Sequence, residues 1–70
     1  MIVERVGKIV RDRRKELGIT QATLADLCEL SKNTIYQFER GQNNPSLRVV
    51  EKIFDVLGLR LEVTVEAVPS

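Results

Sequence analysis

"TQATLADLCELSKNTIYQFERG", residues 20–41, holds two short helical patterns separated by a few residues around Glu29 to Ser31, and its reading decides the fold. Thr20 and Ser31 are both good N-caps, because a short side-chain oxygen can accept from a free N–H in the first helical turn. Behind Thr20, the apolar residues Leu24, Ala25, Leu27 and Cys28 give about two turns of helix. Ser31 opens the next helix, which runs through Phe38 and stops near Gly41. Two short helices joined by a tight turn are the signal of a helix-turn-helix.

Around this pair the rest of the chain forms one unit. Residues 2–17 read as a first helix, with Ile2, Val6, Ile9, Val10 and Leu17 as its apolar face and Gly18 just past its end. Beyond the pair, "QNNPS" is a loop by composition. Pro45 and the N-cap Ser46 then introduce a helix from Leu47 to Leu57, closed by Gly58. Its apolar residues Leu47, Val49, Val50, Ile53, Phe54, Val56 and Leu57 cover about half the circumference at ~100° per residue. Either all of them pack inside one subunit, or part of the arc faces a second one.

The final segment, "LRLEVTVE", alternates apolar and polar residues as a half-buried strand does. Leu59, Leu61, Val63 and Val65 share one face, and Arg60, Glu62, Thr64 and Glu66 the other. No other segment reads as a strand, and an unpaired edge leaves backbone groups without partners. Antiparallel pairing with a second copy satisfies both backbones and buries both apolar rows; folding back on its own domain is the other possibility. The expected fold is therefore mainly α, with about four helices and one C-terminal strand pairing across a homodimer. The expected organisation is residues 1–58 as the helix-turn-helix domain, 59–66 as the dimerisation strand and 67–70 as a frayed tail.

Composition narrows the function. A chain of 70 residues with 43% apolar and 30% charged side chains suits one small globular domain. The single cysteine, Cys28, rules out an internal disulfide and points to a reducing, cytoplasmic setting. No apolar run approaches the length of a membrane span, so no membrane partner is expected. Histidine is absent, and no metal-ligand cluster or Gly-rich phosphate loop is present, so neither catalysis, a metal nor a cofactor is expected. Cys28 reads as a small buried hydrophobe. Net charge is only +1, but Arg5, Lys8, Arg11, Arg13, Arg14 and Lys15 crowd the first fifteen residues. That run is either a solvated helix face or part of a basic surface.

On the helix after Ser31, ~100° per residue places Lys32, Asn33, Tyr36 and Gln37 on one arc and Thr34, Ile35 and Phe38 opposite. The polar arc suits the DNA major groove. Asn and Gln donate and accept in a bidentate pair with adenine, and Lys reaches guanine acceptors or a phosphate. Tyr36 suits a thymine methyl or a phosphate. Thr20 and Gln21 sit at a helix N-terminus, where free N–H groups and the dipole favour a phosphate. Asn43 and Asn44 offer neutral phosphate contacts in the following loop.

The stretch "RRKELGITQATLADLCELSKNTIYQFERGQNNPSL", about half the chain, resembles the lambda-repressor-like (Cro/cI-type, XRE) helix-turn-helix proteins, through "LGITQ", "LA", "S..TI...E.G" and "NPSL". The resemblance implies that Gln21 contacts a phosphate and steadies the recognition helix. It also implies that Lys32, Asn33 and Gln37 read base edges, and that Ser31 caps that helix and touches the DNA backbone. Arg14 and Glu39 would form an ion pair that locks the fold, so Glu39 is not a catalytic acid. Arg13 departs from the apolar residue usual in the family, so its stem must reach outward or meet a polar group. "VRDRRKELGITQ" and "LGLRLEV" are most similar to HipB-like antitoxins. That similarity implies a homodimeric repressor of its own operon, bound to double-stranded DNA and to a HipA-type kinase toxin, with C-terminal strands paired between subunits; the alternatives are a protein-interaction module that chiefly neutralises a toxin and a phage-type repressor with no toxin partner.

Overall fold

The structure, a computed structural model, describes residues 2–62 and residue 65. Four helices follow in order among them: α1 (Ile2–Glu16), α2 (Gln21–Cys28), α3 (Lys32–Glu39) and α4 (Leu47–Leu57). Each of the last three starts where an N-cap was expected. The side-chain oxygens of Thr20, Ser31 and Ser46 accept from the N–H groups of Thr23, Thr34 and Val49. At the end of α1, Gly18 takes φ 70° and the Ile19 N–H reaches back to the Arg14 carbonyl at 3.3 Å. This closure satisfies a carbonyl that the helix leaves open.

The turn between α2 and α3 is closed in the same way, but without a glycine. Glu29 holds φ 58° while the Leu30 N–H donates to the Ala25 carbonyl at 2.9 Å. A side chain in that region costs about 1–2 kcal/mol, so the turn is held by what packs on either side of it.

α3 packs on α1 and α2, and α4 packs on the same two helices. Between them lie Val10, Leu24, Ala25, Cys28, Ile35, Phe38, Val50, Ile53, Phe54 and Leu57. Cys28 is buried there as a small apolar residue, and its thiol faces the Lys52 carbonyl at 3.8 Å. Desolvation pushes the thiol above its ordinary pKa, more strongly than the charge of Lys52 lowers it.

Three expectations need correction. The apolar face of α1 is narrower than its sequence pattern, for Ile2, Ile9 and Leu17 are exposed while Gly7 is buried. Gly7 marks the point where α1 meets the backbone of α3: a methyl group there would lie 2.8 Å from the Glu39 carbonyl oxygen and closer still to that of Phe38. Leu27 likewise points outward from α2. Finally, the described residues contain no strand. Residues 59–62 form no ladder and Val65 is 98% exposed, while Val63, Thr64, Glu66 and the 67–70 tail lie outside the described residues. Leu59 is half-buried against the helical core.

Arg13 does meet a polar group. Its Nε–H donates to the Leu57 carbonyl at 2.9 Å, so a cation sits at the C-terminus of α4, where the helix dipole favours positive charge. α4 buries Val50, Ile53, Phe54 and Leu57, half-buries Val49 and Val56, and leaves Leu47 70% exposed.

Candidate nucleic-acid interface

The polar arc of α3 faces away from the core. Lys32, Asn33 and Tyr36 are exposed and Gln37 is half-buried, while Ile35 and Phe38 are buried on the opposite side and Thr34 lies between. Lys32, Asn33 and Tyr36 line one shallow open concavity together with Gln21 of α2. An adjoining hollow runs from Lys32 past Gln21 to Thr20 and Arg14. The two helices thus present expected base-reading and phosphate-binding side chains on one continuous surface.

What fixes α3 in that attitude is a buried charged cluster. Arg14 donates from Nε to Glu39 Oε2 at 2.7 Å and from Nη2 to Oε1 at 3.0 Å, a bidentate fork. A third donation, Nη1 to the Ile19 carbonyl at 2.9 Å, ties the same guanidinium to the turn before α2. Gln21 adds an Nε2 donation to Glu39 Oε1 at 3.2 Å. Three helices therefore meet at one carboxylate whose side chain is 2% exposed. The hydrogen bonds to Glu39 hold the Arg14 guanidinium above its ordinary pKa, outweighing burial, which acts the other way. Because Gln21 spends only one amide hydrogen on Glu39, another stays available at the surface.

The remaining site residues differ in freedom. The Thr20 hydroxyl donates to Thr23 Oγ1 at 3.1 Å, and Ser31 Oγ lies 2.7 Å from Thr34 Oγ1, so both caps are also engaged by side chains. Asn44 is exposed, but Asn43 is half-buried and turned back toward α3, with Nδ2 donating to Gln37 Oε1 at 3.5 Å.

Two residues, one exposed at the end of α3 and one buried behind it, carry roles that the sequence pattern did not reveal. Arg40 caps the end of α3, and its guanidinium lies 5.3 Å from the centre of the Tyr36 ring. The i, i+4 spacing of Tyr36 and Arg40 was the available signal. Gly7 sets the closeness of α1 to the C-terminal end of α3 and left no mark in the hydrophobic pattern, having no side chain to place in it.

Among the described residues no helix is long and apolar enough to cross a membrane. A helix-turn-helix family model matches residues 10–63. A transcriptional regulatory protein of the helix-turn-helix type from Methanococcus maripaludis is 38% identical over 55 residues, which are 79% of this chain and 17% of that protein. The immunity repressor protein of Bacillus phage phi105 is 35% identical over 60 residues, 86% of this chain and 42% of that one. The chain thus spans well under two thirds of either relative. The crystal structure of the restriction-modification controller protein C.AhdI from Aeromonas hydrophila matches with a TM-score of 0.79 at 33% identity, covering 83% of this chain and 88% of that one. With its two-helix motif, its polar α3 face and a family match over most of its length, the chain belongs to the helix-turn-helix family of DNA-binding transcriptional regulators, in its lambda-repressor-like (XRE) form.

Proposed function

We propose that the protein is a sequence-specific repressor that binds a palindromic operator as a homodimer. The observation that carries this reading is the shared concavity of Gln21, Lys32, Asn33 and Tyr36, which offers donors and acceptors from two helices locked together through Glu39. In this reading Lys32, Asn33, Tyr36 and Gln37 contact base edges in the major groove. Thr20, Gln21, Ser31 and Asn44 contact phosphates, with Asn43 contributing from the same loop. Two recognition helices in a dimer would enter successive major grooves about 34 Å apart.

Dimerisation draws support from a surface that the monomer leaves uncovered. Ile2, Leu47 and Leu61, 73%, 70% and 45% exposed, surround one apolar groove also lined by Val6 and Val50. Exposed apolar side chains gathered in one groove suit burial between two copies, with Leu61, Val63 and Val65 on the paired face.

The resemblance of the flanking stretches to HipB-like antitoxins supports an autoregulating antitoxin that also holds a HipA-type kinase toxin. The phage immunity repressor's similarity supports the alternative, a repressor with no toxin partner. Co-purification with the product of a neighbouring kinase-like gene separates the two. Sequencing DNA fragments selected by the purified protein tests the reading as a whole. A palindromic consensus and a binding constant that falls steeply with salt are expected, and selected fragments without shared sequence would overturn it.

A further inference from the structure

Asn43 lies outside both helices of the motif, yet its amide reaches the outer face of α3. Its Nδ2 donates to Gln37 Oε1, while its Oδ1 is buried and has no donor among the described residues. The loop that carries Asn43 is anchored by the Gln42 N–H on the Gln37 carbonyl at 3.0 Å and the Gly41 N–H on that of Phe38 at 3.1 Å. Backbone bonds thus hold Asn43 beside Gln37. The polarity of the contact follows from burial. Reversing both amides would bury an NH2 group with unused hydrogens, and an orphaned donor is rarer in proteins than an under-satisfied carbonyl. Asn43 therefore donates and Gln37 accepts.

That polarity constrains what Gln37 can read. A bidentate contact to adenine uses both ends of a Gln amide, the oxygen accepting from N6 and the NH2 donating to N7. Asn43 engages one of the two lone pairs of the Gln37 oxygen and so directs that end of the amide toward the loop, which leaves the NH2, without a partner of its own among the described residues, as the end toward the groove. An edge with acceptors alone, guanine O6 and N7, matches it. We infer that Asn43 is a specificity-determining positioning residue, which holds Gln37 as a hydrogen-bond donor so that the base facing it is read as guanine in preference to adenine. The inference rests on the base-reading role proposed above for Gln37.

The test is fragment selection with the full-length wild type, Gln37→Ala, Asn43→Ala and Asn43→Asp, comparing base frequencies at each operator position within each selected pool. Gln37→Ala identifies the position that Gln37 reads. At that position the wild type should favour guanine, and Asn43→Ala should weaken the preference about five-fold or more, the low end of one base contact. Asn43→Asp introduces a group that only accepts. The Gln37 NH2 then turns inward and its oxygen outward, so the preference should shift to adenine or cytosine, whose major-groove edges carry an amino donor. A merely structural role for Asn43 would not reverse base polarity at one position, and comparison within a pool cancels any general loss of affinity caused by the added charge. A wild-type consensus that depends on Gln37 but is unchanged in both Asn43 variants overturns this inference alone. Absence of any Gln37-dependent position overturns the underlying reading with it.

Discussion

Replacing Gly7 by alanine should destabilise the protein, although the same change at an exposed helical site would stabilise it. On propensity alone, Gly→Ala inside a helix gains about 1 kcal/mol. At Gly7 the added methyl would sit 2.8 Å from the Glu39 carbonyl oxygen, 3.0 Å from that carbonyl carbon and nearer still to the Phe38 oxygen. Those are backbone atoms, so no rotamer change relieves the overlap, and α1 must move away from α3. Overpacking of this kind costs about 1–3 kcal/mol, and with rigid partners the upper end applies, leaving roughly 2 kcal/mol of net loss. For a domain of this size the Tm falls by roughly 8–16 °C. Thermal melts followed by circular dichroism provide the measurement. Gly18→Ala separates crowding from backbone strain, because nothing lies within 4 Å of a methyl at Gly18 and only its φ of 70° resists the change. A Gly7→Ala protein that melts at or above the wild-type temperature would refute the close approach of the two helices.

Other expectations follow from the same contacts. Glu39→Ala leaves Arg14 buried without its carboxylate and should cost about 3–5 kcal/mol, whereas Arg14→Met combined with Glu39→Leu should recover much of it; equal losses in single and double variants by urea unfolding would contradict the pairing. Since the Arg14 pKa is raised on folding, the guanidinium's contribution is fully present at neutral pH and is lost only as pH climbs past its ordinary value, so the Arg14→Met deficit should stay constant from neutral into mildly alkaline solution. Glu29→Gly removes the left-handed strain at the α2–α3 turn and should stabilise by up to about 1 kcal/mol, visible as a higher denaturant midpoint. Cys28, buried and with its thiol pushed upward, should resist alkylation in the native protein and react freely in urea; rapid native labelling would place it elsewhere than in the core.

The helices could be read from the chain because what bounds them is local. Thr20, Ser31 and Ser46 each satisfy an N–H three residues on, and Gly18, Gly41 and Gly58 adopt positive φ within two residues of a helix end. Such contacts close over a few bonds and depend little on the rest of the molecule. The two faces of α3 were legible for a related reason: Ile35 and Phe38 lie opposite Lys32, Asn33 and Tyr36 at any helical pitch near the ordinary one.

Only the packed structure decided where each helix turns its surplus. Ile2, Ile9, Leu17 and Leu27 look as apolar as Val10 and Leu24, but among the described residues the small core closes over the others and leaves these four outside. Equally, Gly7 against the Phe38 and Glu39 carbonyls and Arg13 on the Leu57 carbonyl join groups far apart along the chain, and the contact of Asn43 with Gln37 has no signature in the hydrophobic pattern. Sequence determined the caps, the glycine-closed helix ends and the outward face of α3, since each is settled by neighbours a turn away. Tertiary structure decided the spacing and polarity of the groups on the outer face of α3, because those depend on how closely rigid helices approach and on which buried hydrogen-bonding group finds a partner.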